Sequence, residues 1–346
     1  MLKKILSVSI GILGLLSLQA QSDSSKKSTT TFSGSLDAYY RFNFDNPPSP
    51  KINNLTSFTN SQSSFELGMA SIKVDHNFGK VAATLDFGFG KRAQEFSYND
   101  VGTTLTAVKQ AYISYAASDK VKLTFGKWAT HIGYELLDAY ANRNYSMSYG
   151  FSYGPFFHTG VKADISLGGK SAFMIGVANP TDYVSAPNSV KVLLAQFSTG
   201  TKNDKLKAFI NFQGGTGLTH YNLVVTGALS DKFNIAYDGS VQSSTDATSN
   251  KNSSWTSNAV YVNFDPSKMF GLTLRGDYFS DRDLSPIIAK GANVFATTLT
   301  ANIKVDNLTI LPELRFDNSN QGIFSKGSGA ATTGTASFIL AAVYKF

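Results

Sequence analysis

From about Phe32 to the last residue, Phe346, apolar and polar side chains alternate in runs of about ten residues, each closed by turn-forming residues. The terminal run, Thr335–Phe346, shows the rule. Ala336, Phe338, Leu340, Ala342, Tyr344 and Phe346 share one face; Ser337, Ile339, Ala341, Val343 and Lys345 share the other. A period of two is that of a strand. An aromatic residue closing the last run fits an antiparallel β-barrel that spans a membrane, in which the last strand pairs with the first and no edge is left open.

The runs follow one another along the whole chain: Phe32–Phe44, Phe65–Phe78, Val81–Arg92, Leu105–Ala116, Val121–Trp128, Phe157–Leu167, Ser171–Ala178 and Val190–Phe197. Then come Leu206–Gln213, Leu218–Leu229, Phe233–Val241, Ala259–Phe264, Gly271–Ser280, Asn293–Val305 and Leu308–Asp317. Short turns such as Gly168-Gly169 and Asp306-Asn307 alternate with long polar stretches: Asp45–Ser64, Gln94–Thr104, Thr181–Ser189, Ser243–Trp255, Arg282–Ala292 and Asn318–Gly334. Short periplasmic turns and long extracellular loops are the asymmetry expected of such barrels. The strand count is about 15 to 17. Closure with both termini on one side requires an even number, so about 16 strands are expected. Arg143–Tyr153 reads as a strand or as a loop folded into the lumen, and Glu135–Arg143 as a short helical turn. Pro312 lies within a strand and predicts a local break, because proline has no N–H for the ladder.

The N-terminus carries Lys3 and Lys4 ahead of the apolar stretch Ile5–Leu18. That length suits the core of a secretory signal, since a membrane helix needs about 20 apolar residues. Cleavage after Ala20 places a small residue at the site, although Leu18 departs from the usual small residue two positions earlier. The expected organisation is residues 1–20 as signal peptide, 21–31 as a disordered Ser/Thr/Lys-rich lead-in, and 32–346 as the barrel. The chain has no cysteine, which excludes a lipoprotein anchor, a disulfide and a thiolate metal site.

Only 16% of the residues are charged, against about 25% in a typical soluble domain. Phe (26), Tyr (16) and Gly (29) are abundant, as in a barrel wall girdled by aromatic residues. The formal charge falls from +7 to +5 when Lys3 and Lys4 leave with the signal. No basic cluster stands beside an aromatic platform, so nucleic acid is not an indicated partner. The four histidines, His76, His131, His158 and His220, include no pair at metal-ligand spacing, and no metal or cofactor is implied. No nucleophile elbow, phosphate loop or dinucleotide fingerprint occurs. An outer-membrane hydrolase would have to be assembled from residues such as His131 with Ser146 or Ser148, or from His220, chosen by residue type alone.

The alternation assigns the faces. Leu308, Ile310, Pro312, Leu314 and Phe316 point to lipid, and Glu313, Arg315 and Asp317 to the interior. Leu272, Leu274 and Tyr278 oppose Arg275 and Asp277. A charge facing lipid near the midplane costs about 2–4 kcal/mol, so these charges belong inside. Charges of both signs there can pair and fill the lumen, or line a water channel. Glu135 and Arg143, with His131, are candidates for an opposing pair at a constriction; the alternative is a salt bridge that pins the loop to the wall.

Three blocks add a resemblance: Gly-Lys…Ile-Gly-Tyr-Glu within Phe125–Glu135, Asn142-Arg143-Asn144-Tyr145-Ser146, and Pro155…His158-Thr159-Gly160-Val161-Lys162. Together with the opening Phe32–Tyr40, they resemble the β-barrel porin-2, or OmpL-like, family. The resemblance implies a porin of the cell outer membrane, in contact with its lipids and passing small polar solutes or ions. It brings no residue roles. A structural or adhesive barrel with a filled lumen is the alternative. A homo-oligomer has precedent among porins, but nothing in the sequence marks a subunit interface.

Overall fold

A computed structural model describes residues 28–215, 217–245, 251–282 and 288–346. The expected signal peptide lies outside the described residues. Eight strands form the first half of the wall: β1 (Ser28–Asn43), β2 (Ser64–Phe78), β3 (Val81–Phe89), β4 (Val108–Ala116), β5 (Val121–Ala129), β6 (Phe157–Gly168), β7 (Ser171–Ala178) and β8 (Val192–Gly200). The second half holds β9 (Leu206–Gly215), β10 (Leu218–Ala228), β11 (Phe233–Thr245), β12 (Asn252–Phe264), β13 (Phe270–Arg282), β14 (Asn293–Val305) and β15 (Leu308–Ser319). A small hairpin, β16 (Phe324–Ser325) and β17 (Ala331–Thr332), precedes the last wall strand, β18 (Gly334–Lys345).

The wall is a closed antiparallel barrel of 16 strands in which each pairs with its neighbours in sequence and β18 returns to β1. At this seam Leu36 faces Tyr344 and Phe42 faces Phe338. Phe346 extends the seam, exchanging two 3.0 Å backbone hydrogen bonds with Gly34. Every wall strand therefore has two partners, the condition under which backbone polar groups can sit in lipid. No described helix is long and apolar enough to cross a membrane.

The faces follow the alternation. Leu274, Phe316 and Leu340 are exposed outward, whereas Arg275, Glu313, Arg315 and Ile339 are buried inside. One rim carries short turns such as 79–80, 169–170 and 306–307, and the other carries the loops 44–63, 90–107, 130–156 and 179–191.

Several boundaries differ from the expectation. β1 begins at Ser28, so Ser28–Thr31, assigned to the lead-in, pair with Asp75–Phe78 of β2. β3 ends at Phe89, and Arg92 belongs to a short helix, α1 (Lys91–Phe96), where it is fully buried. Residues 104–107 form a 3-10 turn ahead of β4. Of the stretch Ser243–Trp255, read as a loop, residues 243–245 and 252–255 are strand: β11 and β12 remain in register up to Thr245 and Asn252. Above the hydrocarbon layer an outward side chain has no need to be apolar, so a polar run can still be strand. At Pro312 the β14–β15 ladder lacks the pairs between Thr300–Glu313 and Ile303–Ile310, while the register is unchanged. The break occurs without a bulge.

Candidate functional site

The loop between β5 and β6, residues 130–156, folds into the barrel and fills its middle. Its stem continues the ladder, with Ala129 opposite Phe157 and the Thr130 N–H donating to the Phe156 carbonyl at 3.0 Å. Beyond this neck the segment crosses the lumen. Residues 139–141 make a 3-10 turn, and α2 (Tyr149–Tyr153) is capped by Ser148, whose Oγ accepts from the Phe151 N–H. All side chains from Asn144 to Tyr149 are buried. A polar segment in such a place must have its backbone groups satisfied by the wall.

The wall supplies the partners. Glu313 on β15 accepts from the N–H groups of Tyr145 (2.8 Å) and Ser146 (3.0 Å). Asp277 on β13 accepts from Tyr149 N–H at 2.6 Å, and Asp238 on β11 from Tyr134 N–H at 2.9 Å. The cations hold carbonyls: Arg275 donates to Ser146 O at 2.7 Å and Arg315 to Met147 O at 2.7 Å. Asp317 pairs with Arg315 (2.9 Å) and accepts from the Tyr149 hydroxyl (3.0 Å). Each wall charge thus points at a peptide group or an opposite charge, the condition under which ions can be buried. Apolar inward residues complete the seat: Tyr39, Leu311, Ile339, Ala341 and Val343 pack with Ala139 and Tyr145 of the plug.

The sequence brought the right residues inside but paired two of them wrongly. Glu135 and Arg143 do not oppose each other. Glu135 bonds Arg275 at 2.6 Å, with both side chains buried, and accepts from Ser148 N–H. Arg143 reaches Asp265, at the β12–β13 turn, at 2.6 Å, and Thr273 at 2.9 Å. The pinning salt bridge is the arrangement found, with wall partners in place of a partner within the loop. His131 lies 3.2 Å from the Phe212 carbonyl of β9, away from Ser146 and Ser148. Ser148 is the helix cap, and Ser146 faces Arg275. His220 lies 3.1 Å from Ser240 Oγ. The described residues contain no His/Cys/Asp/Glu cluster able to hold a metal.

Other residues of the site were missed. Arg92 donates to the carbonyls of Leu137 and Tyr145, with its guanidinium 4.9 Å from the ring centres of Phe58 and Tyr145. Asp37 accepts from the Tyr145 hydroxyl at 2.6 Å. Lys109 bridges Asp86 and Asp138, at 3.0 and 2.5 Å. Asp182, in the β7–β8 loop, clasps the neck, accepting from the N–H groups of Phe156 (2.7 Å) and Phe157 (2.9 Å) and from the Tyr98 hydroxyl (3.1 Å). Burial pushes its carboxyl up to about 7.

A family profile described as "Putative beta-barrel porin-2, OmpL-like" matches residues 29–346. The chain belongs to this family. Among solved structures it is similar to the outer membrane channel DcaP of Acinetobacter baumannii, with a TM-score of 0.64 at 13% identity over 92% of this chain and 97% of that one. It is similar to the trimer form of OmpT of Vibrio cholerae (TM-score 0.62, 16% identity, 92% and 99% covered). An anion-selective porin from Comamonas acidovorans gives a TM-score of 0.62 at 9% identity, with 92% and 100% covered. At these identities the likeness is one of fold. No curated protein matches the sequence. The chain is therefore a β-barrel porin-2 protein of the outer membrane, with a porin fold whose lumen is occupied by its own third long loop.

Proposed function

We propose that this porin-2 protein passes small polar solutes or ions across the outer membrane when the 130–156 plug shifts, and that the docked plug is its closed state. The observation that carries the reading is the docking itself. The plug is tethered only at a two-stranded neck, and between its ends it is held by side chains. Such a segment can leave its seat without opening the barrel wall. The exposed wall charges would then line a polar passage, with Arg275, Asp277, Glu313, Arg315 and Asp317 on one side. A second reading, a permanently filled structural barrel, draws on the buried Glu135–Arg275 pair.

A disulfide lock separates the two. The chain has no cysteine, so an introduced pair acts alone. A Cβ built on Gly150 of α2 falls 3.0 Å from the Cβ of Ser257 on β12. A disulfide needs about 3.8 Å, a shift that a short helix can absorb. Planar-bilayer recordings of G150C/S257C are expected to show stepwise openings when reduced and none when oxidised. Equal conductance in both states would remove the plug as gate; silence of the folded wild-type barrel under all conditions would leave the structural reading.

A further inference from the structure

The underside of the plug faces a vestibule at the short-turn rim. Three cavities of about 180, 290 and 240 Å³ open there, and Arg143 lines all three. Lys304 joins it in the first cavity, and Lys205 and Lys207 in the second. The guanidinium is held in place: Nε donates to Thr273 and Nη2 to Asp265. Gly271 beneath it leaves the room, since a Cβ there would lie 2.7 Å from Nη2 and also meet Asp265. A guanidinium carries five donors in a planar fork. Its Nη1 makes no hydrogen bond among the described residues.

The acids nearby are already engaged. Asp265 is on Arg143, Glu135 on Arg275, and Asp204 on Lys170 at 2.6 Å and Lys207 at 3.7 Å. Lys304 and Lys205 have no ion pair among the described residues. The vestibule therefore holds a cationic excess around a positioned fork, recessed between low-dielectric walls that concentrate its field.

We infer that this vestibule binds a small oxyanion, a carboxylate or phosphate group, with Arg143 as the principal contact and Lys304, Lys205 and Lys207 as the surrounding charge. The fork geometry of arginine matches both groups. Drug-sized ligands occupy about 300–1,000 Å³, so these cavities suit a ligand of a few heavy atoms. The inference deepens the proposed function by naming the class of solute, and it rests on that reading of the lumen. It does not require the plug to move.

The test is calorimetric titration of the folded, detergent-solubilised barrel with inorganic phosphate and with succinate at low ionic strength. Saturable binding of either is expected. R143Q should weaken it by about tenfold to a hundredfold, the scale of one charge-assisted contact. K304Q should weaken it severalfold. K120Q removes an equal charge from an exposed turn and should leave it unchanged. Because R143Q could loosen the plug, D265N serves as a second variant: it frees the fork and should tighten binding severalfold. Absence of saturable binding by wild type, or equal weakening by K120Q, overturns the inference, as does no tightening in D265N. Binding without conductance would refute the gate and keep the vestibule; conductance without binding would do the reverse.

Discussion

Glu135→Ala is the sharpest probe of how the plug is held. Arg275 is fully buried, with Nη1 2.6 Å from Glu135 Oε1 and 2.7 Å from Ser146 O, and Nη2 on Thr298 at 3.1 Å. Removing Glu135 leaves a guanidinium in the interior with carbonyl and hydroxyl partners but no carboxylate in ion-pair contact, and strands the Ser148 N–H that its second oxygen accepts. Truncating one side of a buried pair costs about 3–5 kcal/mol. At about 1.4 kcal/mol per factor of ten, undocking should become more frequent by roughly two to three and a half powers of ten. The barrel ladder is untouched, so the loss is local and appears in amide exchange of 144–149 without change in the strands. Removing the orphaned charge as well, in Glu135→Ala/Arg275→Met, should recover part of the loss, with a coupling of about 0.5–3 kcal/mol. Unchanged exchange of 144–149 in Glu135→Ala, or strict additivity in the double variant, would refute the argument that this pair seats the plug.

Two further outcomes follow from the geometry. A Cβ on Gly68 of β2 would collide with Asp37 and reach 2.6 Å from the Tyr145 hydroxyl, so Gly68→Ala should part that hydrogen bond and destabilise docking by about 1–3 kcal/mol, read as faster exchange around Tyr145. Asp182 has a raised carboxyl pKa in the docked neck, about 7 against 3.8, so the docked form binds the proton more tightly than the free loop does. Its contribution is complete at acid pH and is lost as pH rises from 3.8 to about 7. Asp182→Asn keeps an acceptor and cannot ionise; the difference in Phe157 protection between wild type and variant should therefore change between about pH 4 and 7, and a constant difference would refute the assignment.

The wall was legible because a strand in lipid has little freedom: Leu308, Ile310, Leu314 and Phe316 face lipid, and Glu313, Arg315 and Asp317 are forced inward. The site was legible only as a set. That the charges lie inside follows from period two; which ones meet depends on the path of residues 130–156 through the lumen, and no periodicity encodes it. Hence Glu135 and Arg143 were candidates for each other, while their partners lie on β13 and at its preceding turn. Polar extensions such as Ser243–Thr245 were missed because outside the hydrocarbon layer both faces of a strand are free to be polar.

One signal of the filled lumen does stand in the sequence. A water-filled channel has no use for large apolar side chains on its inner face. Yet in the last strand the inward set is Ile339, Ala341 and Val343, opposite an outward set that is also apolar, and Leu311 continues it on β15. These residues are nearly inaccessible because Ala139 and Tyr145 cover them. Burying a side chain of this size is worth about 1.5–3 kcal/mol. The same surface favours closure and opposes opening, so the charges alone do not set the gate. If the plug undocks, an apolar stripe along β15 and β18 meets water. Opening is then costly on that side and cheaper opposite it, along β8 to β10, where Gln196 and Asn222 hold His131 and Gly133 by neutral hydrogen bonds. The plug should part from this sector first, and should uncover the charges of β13 and β15 only as it leaves the stripe.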